Sequence, residues 1–226
     1  NEMYAQWNSN IKETPITPIN NIIEGGFINR EVSLSPSGKK MAFHRVSADE
    51  KAKLVVYDLD TDENIVEIDS DDTSSISWID EDTLLFSKLH GKIGSTYFWL
   101  YKYSISKRSL QRVKDSQRTL FVNSNNDDIC SVRALTGQMI IEYNSNKIYS
   151  SPLLARVERP FCIEHEGKLS VYFIEKEPNK NEKLVLLKGK EKIVIHSSEG
   201  TIKDLDIHNN KLYFIDDKDK VFNIYQ

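Results

Sequence analysis

The sequence predicts an all-β chain wound as a β-propeller, and three observations carry that prediction: a repeat period in the forties, four short alternating stretches per period, and Gly, Asn or Asp at matching turns. With Gly38, Asp82, Asn126, Gly167 and Asn210 as turn anchors, successive spacings are 44, 44, 41 and 43 residues. A helical solenoid of similar period would need amphipathic segments of ten or more residues, and none is found.

The clearest unit opens at Arg30. Val32 and Leu34 alternate with Ser33 and Ser35, the period-two signature of a strand. Pro36 presets φ at a corner and Gly38 accepts positive φ, so the chain reverses before a second strand at Lys40. Four strands are expected per unit, over blades at about 30–70, 74–115, 118–155, 159–198 and 201–226. The last of these supplies only three strands. Residues 15–24, PITPINNIIE, read as an orphan strand, and Pro15 and Pro18 restrict it to an outer edge because proline donates nothing to a ladder. Pairing it with the last unit closes a ring of five blades, a single domain over 15–226 preceded by an arm over 1–14; the rival is five blades of a larger propeller.

Residues 35–43, SPSGKKMAF, resemble the Ser-Pro-Asp-Gly-x-x-x-Ala-Phe repeat of TolB-like propellers and of prolyl oligopeptidase propeller domains. Residues 55–61, VVYDLDT, are similar to the third strand and turn of that repeat. The specific motif occurs once; the later units agree in spacing and polarity. The resemblance implies a non-enzymatic propeller, often extracytoplasmic in bacteria, that holds protein partners or small ligands. It carries no catalytic residue to this chain.

At 226 residues the chain can bury a core without disulfides or metal, and 30 basic against 34 acidic side chains, giving a net charge of -4, are dispersed rather than blocked. That argues against nucleic acid, and no apolar run approaches a membrane span. Cys130 and Cys162 are read as two buried thiols in preference to a disulfide. The chain begins at Asn1, which is read as the loss of a signal peptide, a tag or upstream sequence, and it has no N-x-Ser/Thr sequon.

For chemistry, no G-x-S-x-G, H-E-x-x-H or paired C-x-x-C occurs. Counting eight residues back from the anchors reaches Arg30, Ser74, Arg118, Arg159 and Ile202, so three units open their inner strand with Arg. Convergent guanidiniums at a channel mouth would take a carboxylate, phosphate or acidic peptide in bidentate fashion; the plainer reading pairs each Arg with an acid such as Glu31, Glu158 or Asp204. The expected function is therefore a binding or scaffold module for a protein partner or a small anionic ligand, at Arg30, Arg118, Arg159 and Ser74, with no cofactor or metal. One alternative is a five-bladed glycoside hydrolase using Glu31, Glu164 and Asp204 or Asp206; another is the detached propeller of a larger peptidase. Asp58, Asp60, Asp62, Asn64 and Asp69 are spaced like a calcium loop, but Glu63 stands where such loops need Gly, so a polar hairpin is preferred. Glu164, His165 and Glu166 read as a solvated turn. Tyr97, Trp99, Tyr101 and Tyr103 share one face, expected as core between blades, and residues 88–95 read as an adaptable loop.

Overall fold

A computed structural model of the chain describes residues 28–92, 95–125, 128–208, 211–217 and 223–225. The arm expected over 1–14 and the closing strand expected over 15–24 lie outside them. The described residues form five antiparallel sheets and no helix. The first sheet is β1 (Ile28–Leu34), β2 (Lys40–Val46), β3 (Lys53–Asp58) and β4 (Glu63–Asp69), paired in chain order. The second is β5 (Thr73–Trp78), β6 (Thr83–Lys92), β7 (Ser95–Ser104) and β8 (Ser109–Gln117). The third is β9 (Thr119–Asn125), β10 (Asp128–Leu135), β11 (Gln138–Tyr143) and β12 (Asn146–Ser150). The fourth is β13 (Arg156–His165), β14 (Lys168–Lys176), β15 (Glu182–Lys188) and β16 (Glu191–Ser198). The fifth has three described strands, β17 (Ile202–His208), β18 (Lys211–Asp216) and β19 (Asn223–Tyr225).

The first four sheets bury both faces, which explains why their middle strands carry continuous apolar runs rather than alternating ones. In β3, Leu54 and Val56 join Ala42 against Ile76, Trp78, Leu84 and Phe86 of the second sheet, while Val55 and Tyr57 turn to the opposite face with Phe43. Leu85 and Leu100 meet Val122 of the third sheet. Val132 and Ile141 meet Val157, Val171 and Phe173 of the fourth, and Ile174 and Leu184 meet Ile202, Leu205 and Phe214 of the fifth. Each fully buried side chain of this size contributes about 1.5–3 kcal/mol relative to exposure, so these face-to-face layers dominate the stability.

Polar stitches hold the sheets and the junctions between them. Glu175, 0% exposed, accepts bonds from Tyr149 Oη at 2.5 Å and Lys192 Nζ at 2.6 Å. Buried His44 donates from Nε2 to the Ser70 carbonyl at 3.2 Å and accepts at Nδ1 from Arg30 Nε at 3.1 Å, and burial holds its pKa below the ordinary value. Between β5 and β9 the stitches are hydroxyls. Ser75 Oγ donates to the Val122 carbonyl at 2.9 Å and accepts from the Val122 amide at 3.1 Å, and Ser77 Oγ accepts from the Ser124 amide at 2.9 Å. Small hydroxyl residues in SSIS thus let two inner strands approach closely without orphaning backbone groups.

Two expectations are corrected here. Cys130 of β10 and Cys162 of β13 form a disulfide, Cα–Cα 5.5 Å, rather than two free thiols, because the packing of the third sheet on the fourth brings them together. The loop expected over 88–95 is mostly strand: β6 runs to Lys92 and β7 begins at Ser95, with Leu89, His90 and Gly91 paired to Phe98, Tyr97 and Thr96.

Candidate functional site

The first strand of each of the five described sheets, its inner strand, carries a register break near its start. On β1 it lies between Arg30 and Ser33, on β5 between Thr73 and Ser75, on β9 between Thr119 and Phe121, on β13 between Glu158 and Phe161, and on β17 between Lys203 and Leu205. Two residues then oppose one across the ladder, which bends the strand and re-aims side chains. Glu31, Arg159 and Asp204 are the first bulged residues of their strands, with φ of 56°, 52° and 40°. Their neighbours Val32, Pro160 and Leu205, with Ser75 and Phe121 from the other two strands, line one cavity of about 490 Å³. A second cavity of about 450 Å³ continues along the same strands and shares Ser33, Leu34, Ser77, Asn123, Phe161 and Asp206. The first strands of the five described sheets therefore face a common channel.

Arg159 reaches across the bulge level. Its Nη1 donates to Glu31 Oε2 at 2.8 Å and its Nη2 to Glu31 Oε1 at 3.1 Å, while Nη2 stands 3.4 Å from Asp204 Oδ1. Burial raises the Glu31 pKa above the ordinary carboxylate value, and the charge and hydrogen bonds of Arg159 offset this only in part. Asp204 is 67% exposed at its side chain. Asp206 is exposed too; its Oδ1 accepts from the Ile207 amide at 2.8 Å. Val32 and Leu34 are 59% and 57% exposed, an aliphatic strip on the channel wall.

The other predicted site residues take separate partners. Arg30 binds His44 and pairs with Asp72. Arg118, φ 67°, places its guanidinium 4.8 Å from the Tyr97 ring centroid. Ser74 Oγ lies 2.5 Å from Ser87 Oγ and donates to the Leu120 carbonyl. Of the four, Arg159 alone is among the residues lining the cavity, so the expected ring of converging guanidiniums is replaced by one arginine between two acids. The physical reason is the bulge. Register aligns Glu31, Ser74, Leu120, Arg159 and Asp204, so counting from the turns sets Arg30 one residue and Arg118 two residues too early.

Glu164, expected among the acids of a hydrolase, accepts from Tyr143 Oη at 3.1 Å and is absent from the cavity lining. The aspartate-rich segment is a hairpin turn in which Asp58 Oδ1 accepts from the amides of Thr61 and Asp60 at 3.0 and 2.9 Å, bonds that hold its pKa below the usual carboxylate range. Among the described residues no group of three or more His, Cys, Asp or Glu is placed to hold a metal ion. Of the aromatic face, Tyr103 is buried between the first two sheets with Tyr101 packed against it, whereas Trp99 is stacked on His90 and covered by Arg112, 4.0 Å from its ring centroid. No described helix is long and apolar enough to cross a membrane.

Sheets packed face to face around a channel of inner strands define a β-propeller. No protein-family model and no curated sequence matches the chain. Solved structures do. TolB from Acinetobacter baumannii matches with a TM-score of 0.62 at 13% identity, over 90% of this chain and 55% of TolB. A prolyl endopeptidase matches with a TM-score of 0.55 at 15% identity, over 89% of this chain and 34% of the peptidase. The propeller domain of the trilobed protease from Pyrococcus furiosus, described as having an open velcro topology, matches with 0.56 at 12% identity, over 90% of this chain and 81% of that domain. The likeness to TolB and peptidase propellers expected from residues 35–43 therefore holds for the fold.

Proposed function

We propose that this chain is a non-enzymatic binding propeller, its five sheets acting as blades, and that it receives a segment of a protein partner at the Glu31–Arg159–Asp204 level of the channel. The observation that carries this reading is the cavity itself: it is faced by all five inner strands and combines exposed aliphatic groups with a few charged groups fixed by bulges. Recognition sites commonly pair a mostly apolar concavity with a small set of placed polar groups. Hydrolysis fits less well, because Glu31 is held in a two-point bond by Arg159 and Glu164 is engaged elsewhere, whereas glycoside cleavage needs two carboxylates flanking one bond. An anionic ligand is also disfavoured, since Arg159 is neutralised by Glu31. The Cys130–Cys162 bond supports an extracytoplasmic setting, because reducing compartments keep thiols free.

A second reading, the propeller part of a larger peptidase, is favoured by a match that spans most of this chain but a third of the endopeptidase. Thermal melts of the chain with capped acidic, basic and neutral heptapeptides, citrate and phosphate test the binding reading. A ligand of the folded state raises the Tm. At least one probe is expected to do so, and to lose its effect in Leu34→Trp, which fills the channel. No shift from any probe, or shifts unchanged in Leu34→Trp, would overturn it.

A further inference from the structure

We infer that the group accepted at the channel is a cationic side chain, an arginine or lysine of the incoming segment received by Asp204 and Asp206, and that Arg159 is an internal competitor that withholds the Glu31 carboxylate from it. This rests on the binding reading above and adds the chemistry of the occupant.

Charge decides the sign. The residues lining the two cavities include Asp204 and Asp206 against Arg159 alone, and Glu31, bonded to Arg159, adds a third carboxylate. Because Arg159 and Glu31 neutralise each other, the groups presented to a ligand are the two exposed aspartates. Asp206 holds one oxygen against the Ile207 amide, and its other oxygen has no hydrogen-bond partner among the described residues. Asp204 stands 3.4 Å from a guanidinium already committed elsewhere.

Shape agrees with charge. Lysine and arginine carry a long apolar stem below a charged head, and they settle where an aliphatic surface leads to an acid. Val32 and Leu34 offer that surface on the same wall that carries Glu31 at its bulge. The adjacent wall, β5, cannot compete for the head group as a donor ring would, because the Ser75 hydroxyl is spent on the Val122 backbone and the Ser77 hydroxyl on the amide and hydroxyl of Ser124. Arg159 itself demonstrates that the Glu31 carboxylate is presented for a two-point guanidinium bond.

The test is calorimetric titration of the whole chain with N-acetyl-arginine amide and N-acetyl-lysine amide, with citrate as the anionic control. The arginine probe is expected to bind, to weaken about tenfold in Asp206→Asn, and to tighten several-fold in Arg159→Gln, which frees Glu31 for the probe. Raising the salt from low to high should weaken it, as for any exposed ion pair. A merely structural Arg159 would give the opposite sign, weaker or unchanged binding in Arg159→Gln. Should that variant not fold, Asp206→Asn decides alone, and unchanged arginine affinity there overturns the inference. Citrate or an acidic peptide binding in a Leu34-dependent way, with no response to arginine or lysine, sinks the cationic assignment and leaves the channel reading standing. No response to probes of any charge sinks both.

Discussion

Arg159 and Glu31, separated by 128 positions in the chain, form a two-point ion pair at 2.8 and 3.1 Å that joins the fourth sheet to the first. Burial raises the Glu31 pKa above its ordinary 4.5, and the attraction of Arg159 offsets this in part. The sign of the pH effect follows. A carboxyl that holds its proton more tightly when folded contributes stability that is fully present below the unfolded pKa and is lost as pH rises through the folded one. Glu31→Gln should therefore gain on the parent chain as pH rises from about 4 to 7. Denaturant midpoints of both proteins across that range check it; a variant that falls further behind above pH 5 would mean that the attraction outweighs burial.

The disulfide between Cys130 and Cys162 closes a loop of 32 residues between the second strand of the third sheet and the inner strand of the fourth. By loop-closure entropy, its loss costs about 3–4 kcal/mol. Cys130→Ser with Cys162→Ser should lower the unfolding free energy by that amount, and the parent chain should show no thiol titratable before reduction. A free thiol in the unreduced, unfolded protein would contradict the bond.

How far these features were legible in the sequence follows from what each depends on. The repeat was readable because turns impose local chemistry: Gly38 and Gly167 both sit at φ near 72°, where a side chain is costly. The strands of the first sheet were readable for the same reason, and observed bounds such as Lys40–Val46 fall close to expectation. The channel was not, because a bulge is a matter of how many residues face one partner, and neither Glu31 nor Asp204 signals it by type. That single-residue slip replaced Arg30 by Glu31 at the level of Arg159 and changed the sign of the site. Cys130 and Cys162 were misread because their meeting depends on two sheets packing, not on spacing along the chain. Ser75 and Ser77 alternate with Ile76 and Trp78 as exposed polar positions of a strand would, yet their hydroxyls meet a neighbouring strand's backbone.

Ser75 therefore makes a sharp test of the hydroxyl seam. It is 4% exposed, and its Oγ satisfies both the amide and the carbonyl of Val122. Ser75→Ala removes two buried bonds and leaves two backbone groups without partners, a cost of about 2–3 kcal/mol, well above that of an ordinary surface serine. Equilibrium unfolding measures it, and a change under about 0.5 kcal/mol would mean that water replaces the hydroxyl.

Lys192 tests the junction of the third and fourth sheets. Its ammonium neutralises Glu175, whose carboxylate is wholly buried and also holds the Tyr149 hydroxyl; burial, and after it this bond, raises that phenol's pKa. Lys192→Met keeps the aliphatic packing but strands a buried charge, so a loss of about 3 kcal/mol is expected. Glu175→Gln made in the same chain should recover part of it by removing that charge, and denaturation of both variants measures the recovery. No recovery would show that packing, not charge, sets the cost.

The turn between β11 and β12 offers a gain instead of a loss. Asn144 and Ser145 both have positive φ, 48° and 67°, which is the backbone of a tight hairpin turn whose twist matches its strands. Asn144 suits that conformation and uses its side chain locally: Oδ1 accepts from the Ile129 amide and Nδ2 donates to Asp128 Oδ1, both at 2.8 Å. Ser145 is exposed and makes no compensating side-chain bond among the described residues, so its Cβ is carried in a disfavoured region without return. Glycine there removes the steric penalty and adds some entropy to the unfolded chain, leaving a net gain of about 0.5–1 kcal/mol. Ser145→Gly should raise the unfolding midpoint without altering the denaturant slope. Asn144→Gly, made as the control, should fail to match it, because that change discards two hydrogen bonds along with the strain; equal gains from both would mean that the Asn144 side-chain bonds contribute nothing to the hairpin.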